Sequence, residues 1–305
     1  MTITELLESV RRVEVRTNRL VNDTMVGAYL SHFKGRGMDF EELREYIPGD
    51  EVRDIDWNVT YRMGRPFVKR YREERELAMV LAVDISASSA FGSLRRTKRH
   101  FAAEIAGTLA ISATRSSDKV ALLLFSDQVE LFLPPRKGRR HILRLIREML
   151  FFRPRHRGTN IPAALAFLNR LLHRRSIIFL LTDFLHSIGP ALAQPGAGRG
   201  TVEELGLTNV RHDVVCVHLH DPCESRLPPA GLLTVEDAET GELLEVDSSR
   251  AAVREKFAAT NAERLAELDR ALRRAGVDTL RFSTAESFAQ TLQTFFETRR
   301  GRRRG

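Results

Sequence analysis

The sequence predicts an α/β fold around a mostly parallel sheet with one antiparallel edge strand, and three observations predict it. Apolar runs of strand length recur at residues 77–83, 120–125, 177–181 and 214–219. Segments with helical spacing fill the intervals between them, the alternation that places parallel strands in one sheet. One further strand, 129–133, follows 120–125 after only Ser126-Asp127-Gln128, a gap suited to a hairpin and too short for a crossover.

In chain order, residues 4–30 carry Leu6, Leu7, Val10, Val13, Leu20, Val21 and Met25 at a spacing closer to helical than alternating, which predicts one or two amphipathic helices. From 35 to 76 dense charge is interleaved with Phe40, Tyr46, Ile47, Ile55, Trp57, Phe67 and Tyr71 and punctuated by Pro48-Gly49-Asp50 and Met63-Gly64-Arg65-Pro66. This texture predicts a structured but irregular region. The strand at 77–83 follows, then a helix over 94–115 with Phe101, Ile105 and Leu109 on one face. After the strand 120–125 comes the edge strand, which Pro134-Pro135 should end. Helices at 138–150 and 161–173 flank a basic loop, and 177–181 is the next buried strand. Residues 189–201, rich in Gly, Ala and Pro, read as a mobile segment. Beyond the strand at 214–219, a hairpin over 232–246 turning near Thr240-Gly241 is extra to the alternation. A long helix, 249–275, should close on a left-handed Gly276, with a strand at 277–282 and a helix at 286–298 completing the fold. The expected organisation is an N-terminal region 1–75, a main α/β domain 76–300 and a basic tail 301–305.

With 305 residues, 43% of them hydrophobic, the chain can bury a substantial core. Its net charge of +8 is concentrated at 136–157 and in the terminal arginines, which suit an acidic partner, nucleic acid or anionic lipid. Met1 opens onto Glu5, Glu8, Arg11 and Arg12 rather than a basic segment followed by an apolar one, which speaks against a secretory signal. No apolar run is long enough to span a bilayer. A cytoplasmic monomer is expected. Cys216 and Cys223 have no zinc spacing, and Cys216, inside a strand, reads as a small buried hydrophobe.

The chemistry is concentrated at three strand ends and loops. Asp84-Ile85-Ser86-Ala87-Ser88 closes one apolar run, Gly158-Thr159-Asn160 precedes a helix, and Leu181-Thr182-Asp183 closes another run. In open α/β sheets the carboxyl ends of the strands converge on one crevice. Asp84, Ser86, Ser88, Thr159 and Asp183 are therefore candidate ligands of one Mg²⁺-sized cation, for which oxygen donors are required. Ser86, Ser88 and Thr159 would bind directly, while Asp84 and Asp183 supply charge directly or through water. In an extended exit from the strand, Ser86 and Ser88 would point the same way as Asp84. A site of this kind leaves a position for a Glu or Asp of another protein.

These five positions match the metal-ion-dependent adhesion site of von Willebrand factor A domains. More narrowly, Arg44-Glu45-Tyr46-Ile47-Pro48-Gly49-Asp50-Glu51-Val52-Arg53-Asp54-Ile55-Asp56-Trp57 and Leu122-Leu123-Leu124-Phe125-Ser126-Asp127 resemble the bacterial family called domain of unknown function 58. The resemblance covers roughly residues 35–185 and implies a doubly wound von Willebrand factor A-like domain. It also implies a non-catalytic Mg²⁺-dependent interaction domain that works with a MoxR-type AAA+ ATPase in a chaperone-like or metal-insertion role. Two features depart from the family: Tyr61 stands where Ala is expected before Arg62, and the N-terminal membrane helices frequent in the family have no counterpart here.

Around Trp57, the acidic and basic residues Asp50, Arg53, Asp54, Asp56 and Arg62 are expected to be scaffolding. In that reading Asp50 caps a turn and accepts from Arg53, and Trp57 anchors the segment on the main domain; the alternative is a docking surface for a partner. An enzyme would need Ser86 or Ser88 beside His100, His141 or His156, and neither serine lies in a Gly-x-Ser-x-Gly elbow. The pair His218 and His220 is a weak zinc signal. No glycine-rich phosphate loop is present. The alternative to the adaptor is a nucleic-acid or anionic-surface binding protein using Arg136-Lys137-Gly138-Arg139-Arg140-His141, the arginines of 153–157 and the terminal arginines.

Overall fold

Strands covered on both faces must be apolar at every position, and four of them are buried along nearly their whole length: β3 (Ala78–Asp84), β4 (Lys119–Phe125), β6 (Ile177–Thr182) and β7 (Asp213–His220). A computed structural model describes residues 8, 11, 13, 38–73, 78–94, 96–116, 118–185 and 200–301. The four strands form the middle of a six-stranded sheet in the order β10-β7-β6-β3-β4-β5, with β5 at Val129–Arg136 and β10 at Asp278–Ser283. All neighbours are parallel except β4 and β5, as the three-residue connection requires.

Alternation along the strands divides the core into two layers. Met79, Leu81 and Val83 of β3 face a layer containing Phe101 and Ile105 of α2 (Lys98–Arg115), Leu145 and Ile146 of α3 (Arg139–Phe151), and Leu292 and Phe296 of α8 (Ala289–Gly301). Val80 and Ala82 face the other side. There they meet Leu165 of α4 (Ile161–Leu171), Leu205 of α5 (Thr201–Arg211) and Leu268 and Leu272 of α7 (Ala251–Arg274). Cys216 belongs to this second layer, and its burial pushes the thiol pKa well up. Gly276, just beyond the end of α7, has φ +68°, the left-handed conformation expected of it.

Three expectations are corrected. β5 does not stop at Pro134 but runs through both prolines to Arg136. Val120 pairs with Arg136 and Leu122 with Leu133, so the two prolines fall in a bulge on a rim strand, where a missing ladder N–H is tolerated. Helix α5 was not anticipated because Thr201 was grouped with the Gly- and Pro-rich stretch before it; residues 189–199 of that stretch lie outside the described residues, as do most of the helices expected over 4–30 and residues 302–305 of the tail. The region expected to be irregular contains a two-stranded antiparallel sheet, β1 (Met38–Glu45) with β2 (Phe67–Glu73), bridged by the short helix α1 (Trp57–Met63).

Trp57 does not anchor that region. It opens α1 and is 64% exposed, with Tyr61 and Met63 exposed beside it. The segment is held by polar contacts instead. Asp56 caps α1 by accepting from the Asn58 and Val59 amides at 3.0 and 3.2 Å, and pairs with Lys69 at 2.9 Å. Asp50 caps its turn through the Ile47 amide at 3.0 Å, but its guanidinium partner is Arg44, bidentate at 2.7 and 2.9 Å, rather than Arg53. The hairpin expected over 232–246 is β8 (Leu232–Glu236) with β9 (Leu243–Asp247), and among the described residues these strands pair only with each other.

Candidate functional site

The order of the sheet places β3 between β4 and β6, where the direction of chain progression reverses. A crevice opens outside the carboxyl ends of the strands at such a point. Asp84 is the last residue of β3, and Asp183 follows the last residue of β6. The loop between α3 and α4 brings the third piece. Asn160 caps α4 through the Ala163 amide and donates its own amide to the Ser126 carbonyl at 2.8 Å, while the Ala87 amide reaches the Arg157 carbonyl at 2.9 Å. Backbone hydrogen bonds thus tie the loop after β3 and the β4–β5 turn to the loop that carries Thr159.

The side chains converge on Asp84, which is buried. Its Oδ1 accepts from the Ser86 amide at 2.9 Å, and its Oδ2 accepts from Thr182 Oγ1 at 2.6 Å and from Thr159 Oγ1 at 3.4 Å. Ser86 Oγ and Ser88 Oγ lie 3.1 Å apart. They are neighbours, as expected, though not by an extended exit from the strand. Residues Ala87–Ala90 form a turn of 3-10 helix, closed in part by Ser89 Oγ donating to the Ser86 carbonyl. Asp183 Oδ1 accepts from the Leu185 amide at 3.2 Å, and the Ser88 hydroxyl bonds to the same carboxylate. Phe184 next to it has φ 52°, the one non-glycine residue with positive φ among the described residues. A buried bulky side chain in that region is strained, and the strain sits in the turn that aims Asp183.

Besides Thr182, three participants were not anticipated: Lys98, Glu224 and Glu239. Lys98, buried at the start of α2, places Nζ 2.5 Å from Asp183 Oδ2 and also pairs with Glu224 in the one-turn helix α6 (Pro222–Ser225). Glu239, at the tip of the β8–β9 hairpin, accepts from Thr159 Oγ1 at 2.8 Å. No local signal reveals them, because a buried lysine with its Glu224 partner and a distant hairpin tip are brought in by tertiary packing alone.

The Lys98 ammonium pairs with Asp183 and Glu224, and the Arg264 guanidinium acts on the same two carboxylates. Burial, reinforced by the charge of Asp183, pushes Asp84 up to about 7. Burial acts against ionisation of Asp183 as well, but the Lys98 ammonium outweighs it and holds the carboxyl below its usual range. A small cavity is lined by Asp84, Ser89, Lys98, Thr182, Asp183 and Leu219. Hydroxyl and carboxylate oxygens are the donors a hard divalent cation takes; Asp84 and Asp183 line this cavity, and Ser86, Ser88 and Thr159 lie beside it through their bonds to each other and to these two carboxylates.

The histidines are engaged elsewhere. His141 Nε2 is 2.8 Å from the Val120 carbonyl oxygen, His100 Nδ1 is 2.9 Å from Thr97 Oγ1, and His156 lies 3.5 Å from Asp127. His218 Nδ1 accepts from Arg281 Nε at 3.3 Å.

A profile described as protein of unknown function DUF58 matches residues 42–267. The chain belongs to the DUF58 family. Among its relatives, uncharacterized proteins of Mycobacterium bovis and Mycobacterium tuberculosis are each 29% identical over 299 residues, covering 97% of this DUF58 chain and 90% of theirs. Among solved structures, an aerotolerance-related membrane protein of Bacteroides fragilis is similar at 14% identity and a TM-score of 0.47, covering 74% of this chain and 99% of that one. The conserved hypothetical protein BatB of Bacteroides thetaiotaomicron is similar at 15% identity and a TM-score of 0.45, covering 73% and 98%. Among the described residues, no helix is long and apolar enough to cross a membrane.

Proposed function

We propose that this chain is a non-catalytic, Mg²⁺-dependent adaptor whose main domain is von Willebrand factor A-like and whose cation is completed by a carboxylate of a protein partner. The observation that carries the reading is the convergence at one end of the sheet. Asp84 Oδ2 gathers Thr182 and Thr159 from two other loops, while Ser86 and Ser88 stand 3.1 Å apart beside it. Sheet order, with one antiparallel rim and helices on both faces, supports the fold assignment.

The three hydroxyls would hold the ion, and Asp84 and Asp183 would balance its charge directly or through water. A bound Mg²⁺ supplies an electrophilic position to which an outside carboxylate can bond. Lys98 holds Asp183 in place and leaves its second oxygen to the Leu185 amide, so the carboxylate is oriented before any ion arrives. Among the described residues, the hydrogen-bond partners of Ser86 and Ser88 include no histidine, which supports a ligand role over a nucleophilic one. The family resemblance supplies the partner class, a MoxR-type AAA+ ATPase or its client.

Pull-down with the tagged chain in Mg²⁺ and in chelator tests the reading, with Thr159→Ala and Asp84→Asn as companions. The expected result is retention of an AAA+ ATPase or client in Mg²⁺ alone and its loss in both variants. Retention unaffected by chelator and by both substitutions would refute the adaptor.

A further inference from the structure

The tip of the β8–β9 hairpin rests on the loop that presents Thr159. Asp237 shapes the tip, its Oδ1 accepting from the amides of Glu239 and Thr240 at 2.9 Å each, and Gly241 follows with φ +78°. The geometry projects Glu239 toward the site. Its Oε1 takes the Thr159 hydroxyl at 2.8 Å, closer than the 3.4 Å between that hydroxyl and Asp84 Oδ2. Arg157, two residues before Thr159, holds the same tip by donating Nε to the Ala238 carbonyl at 3.1 Å and by pairing with Glu236 at 3.4 Å.

We propose that this hairpin is an intramolecular cap, in which Glu239 stands where the carboxylate of a partner would reach the cation. The cap rests on the cation-dependent reading above and adds its regulation: an outside acidic side chain must displace an internal one. Three features suit the hairpin to move. Among the described residues its strands pair only with each other, and an isolated two-stranded ribbon is marginally stable. Its Leu232, Leu243 and Leu244 are exposed rather than packed on the main domain. The Arg157–Glu236 pair is solvent-exposed on both sides and contributes little. The hairpin base is firmer: Ser248 is buried and donates Oγ to the Gly231 carbonyl at 2.8 Å. A hinge at the base with a loosely held tip is the arrangement in which a local opening leaves the rest of the fold intact.

The test uses Mn²⁺ as a paramagnetic substitute for Mg²⁺ and acetate as the outside carboxylate, reading water-proton relaxation of the full chain. In the wild type the cap should hold one position, giving a low relaxation enhancement that acetate does not change. Glu239→Ala should raise the enhancement by the contribution of an additional exchanging water, and acetate should then lower it. Arg157→Ala, which keeps Glu239 but releases the tip, should shift the response in the same direction and stands in if Glu239→Ala fails to fold. Equal enhancement and equal acetate sensitivity in wild type and variants, with Mn²⁺ bound in all, would overturn the cap and leave the cation reading standing. Loss of Mn²⁺ binding in Glu239→Ala alone would also overturn it, making Glu239 a required ligand. Failure of every form to bind Mn²⁺ would remove both.

Discussion

Lys98 Nζ lies 2.5 Å from Asp183 Oδ2, and both side chains are buried. Burial alone would lower the pKa of Lys98, but the carboxylates of Asp183 and Glu224 outweigh it and raise it. The pair is thus charged within the fold, and each member depends on the other for compensation.

Removing the ammonium strands the buried Asp183 carboxylate and the half-buried one of Glu224. Lys98→Met should cost about 3–5 kcal/mol, the range for breaking a buried ion pair from one side. Urea denaturation at neutral pH measures it. Partial recovery at mildly acidic pH, where the stranded carboxylates take up protons, is expected with it; a loss below about 1 kcal/mol would mean the pair contributes no more than a surface contact.

A cation bound only by the folded chain must stabilise it. At a free Mg²⁺ concentration of about 100 times the dissociation constant the gain is about 2.7 kcal/mol, read as a rise in Tm that chelator reverses. Asp84→Asn should abolish the rise, because the amide keeps the shape of the side chain but not its charge. Thr159→Ala should diminish the rise at the cost of about 1 kcal/mol for the hydrogen bonds it loses.

His218 predicts a pH dependence. Burial, with the Arg281 guanidinium beside it, depresses its pKa to about 3. The folded chain keeps this imidazole neutral while the unfolded chain takes up a proton near the ordinary value of about 6.5. Stability is therefore fully present above that value and is lost as pH falls toward 3, at up to about 1.4 kcal/mol per pH unit. His218→Gln should flatten the slope over this window; an unchanged slope would assign it to other groups.

Because Trp57 is exposed, Trp57→Ala should change stability by about 0.5 kcal/mol or less. Denaturation by urea, followed by circular dichroism so that the lost indole does not matter, is the check. A loss of several kcal/mol would show that the side chain is covered in solution.

The middle of the sheet was legible because β3, β4, β6 and β7 are buried on both faces and must be apolar throughout, a local property. The rim was less so: Pro134-Pro135 reads as a stop, and only the bulged register opposite β4 explains why β5 continues. Helix α5 has few buried residues, among them Leu205, Thr208 and Glu204, too few to write a clear period. At the candidate site the five oxygen donors lie at strand ends and in one helix-capping loop, where turn chemistry marks them in the sequence. Lys98 and Glu239 carry no such mark, since one is an ordinary helix-opening lysine and the other sits on a hairpin tip whose docking place is 80 residues from it.

The paired prolines of β5 have an effect beyond their own register. Neither imino residue carries an N–H, so neither can donate to a strand arriving along that flank. A foreign chain seeking to add itself along that flank meets a gap in the ladder it would have to complete, next to a local twist. Growth of the sheet into fibrous stacks is discouraged on this flank by two rings that cost the fold little.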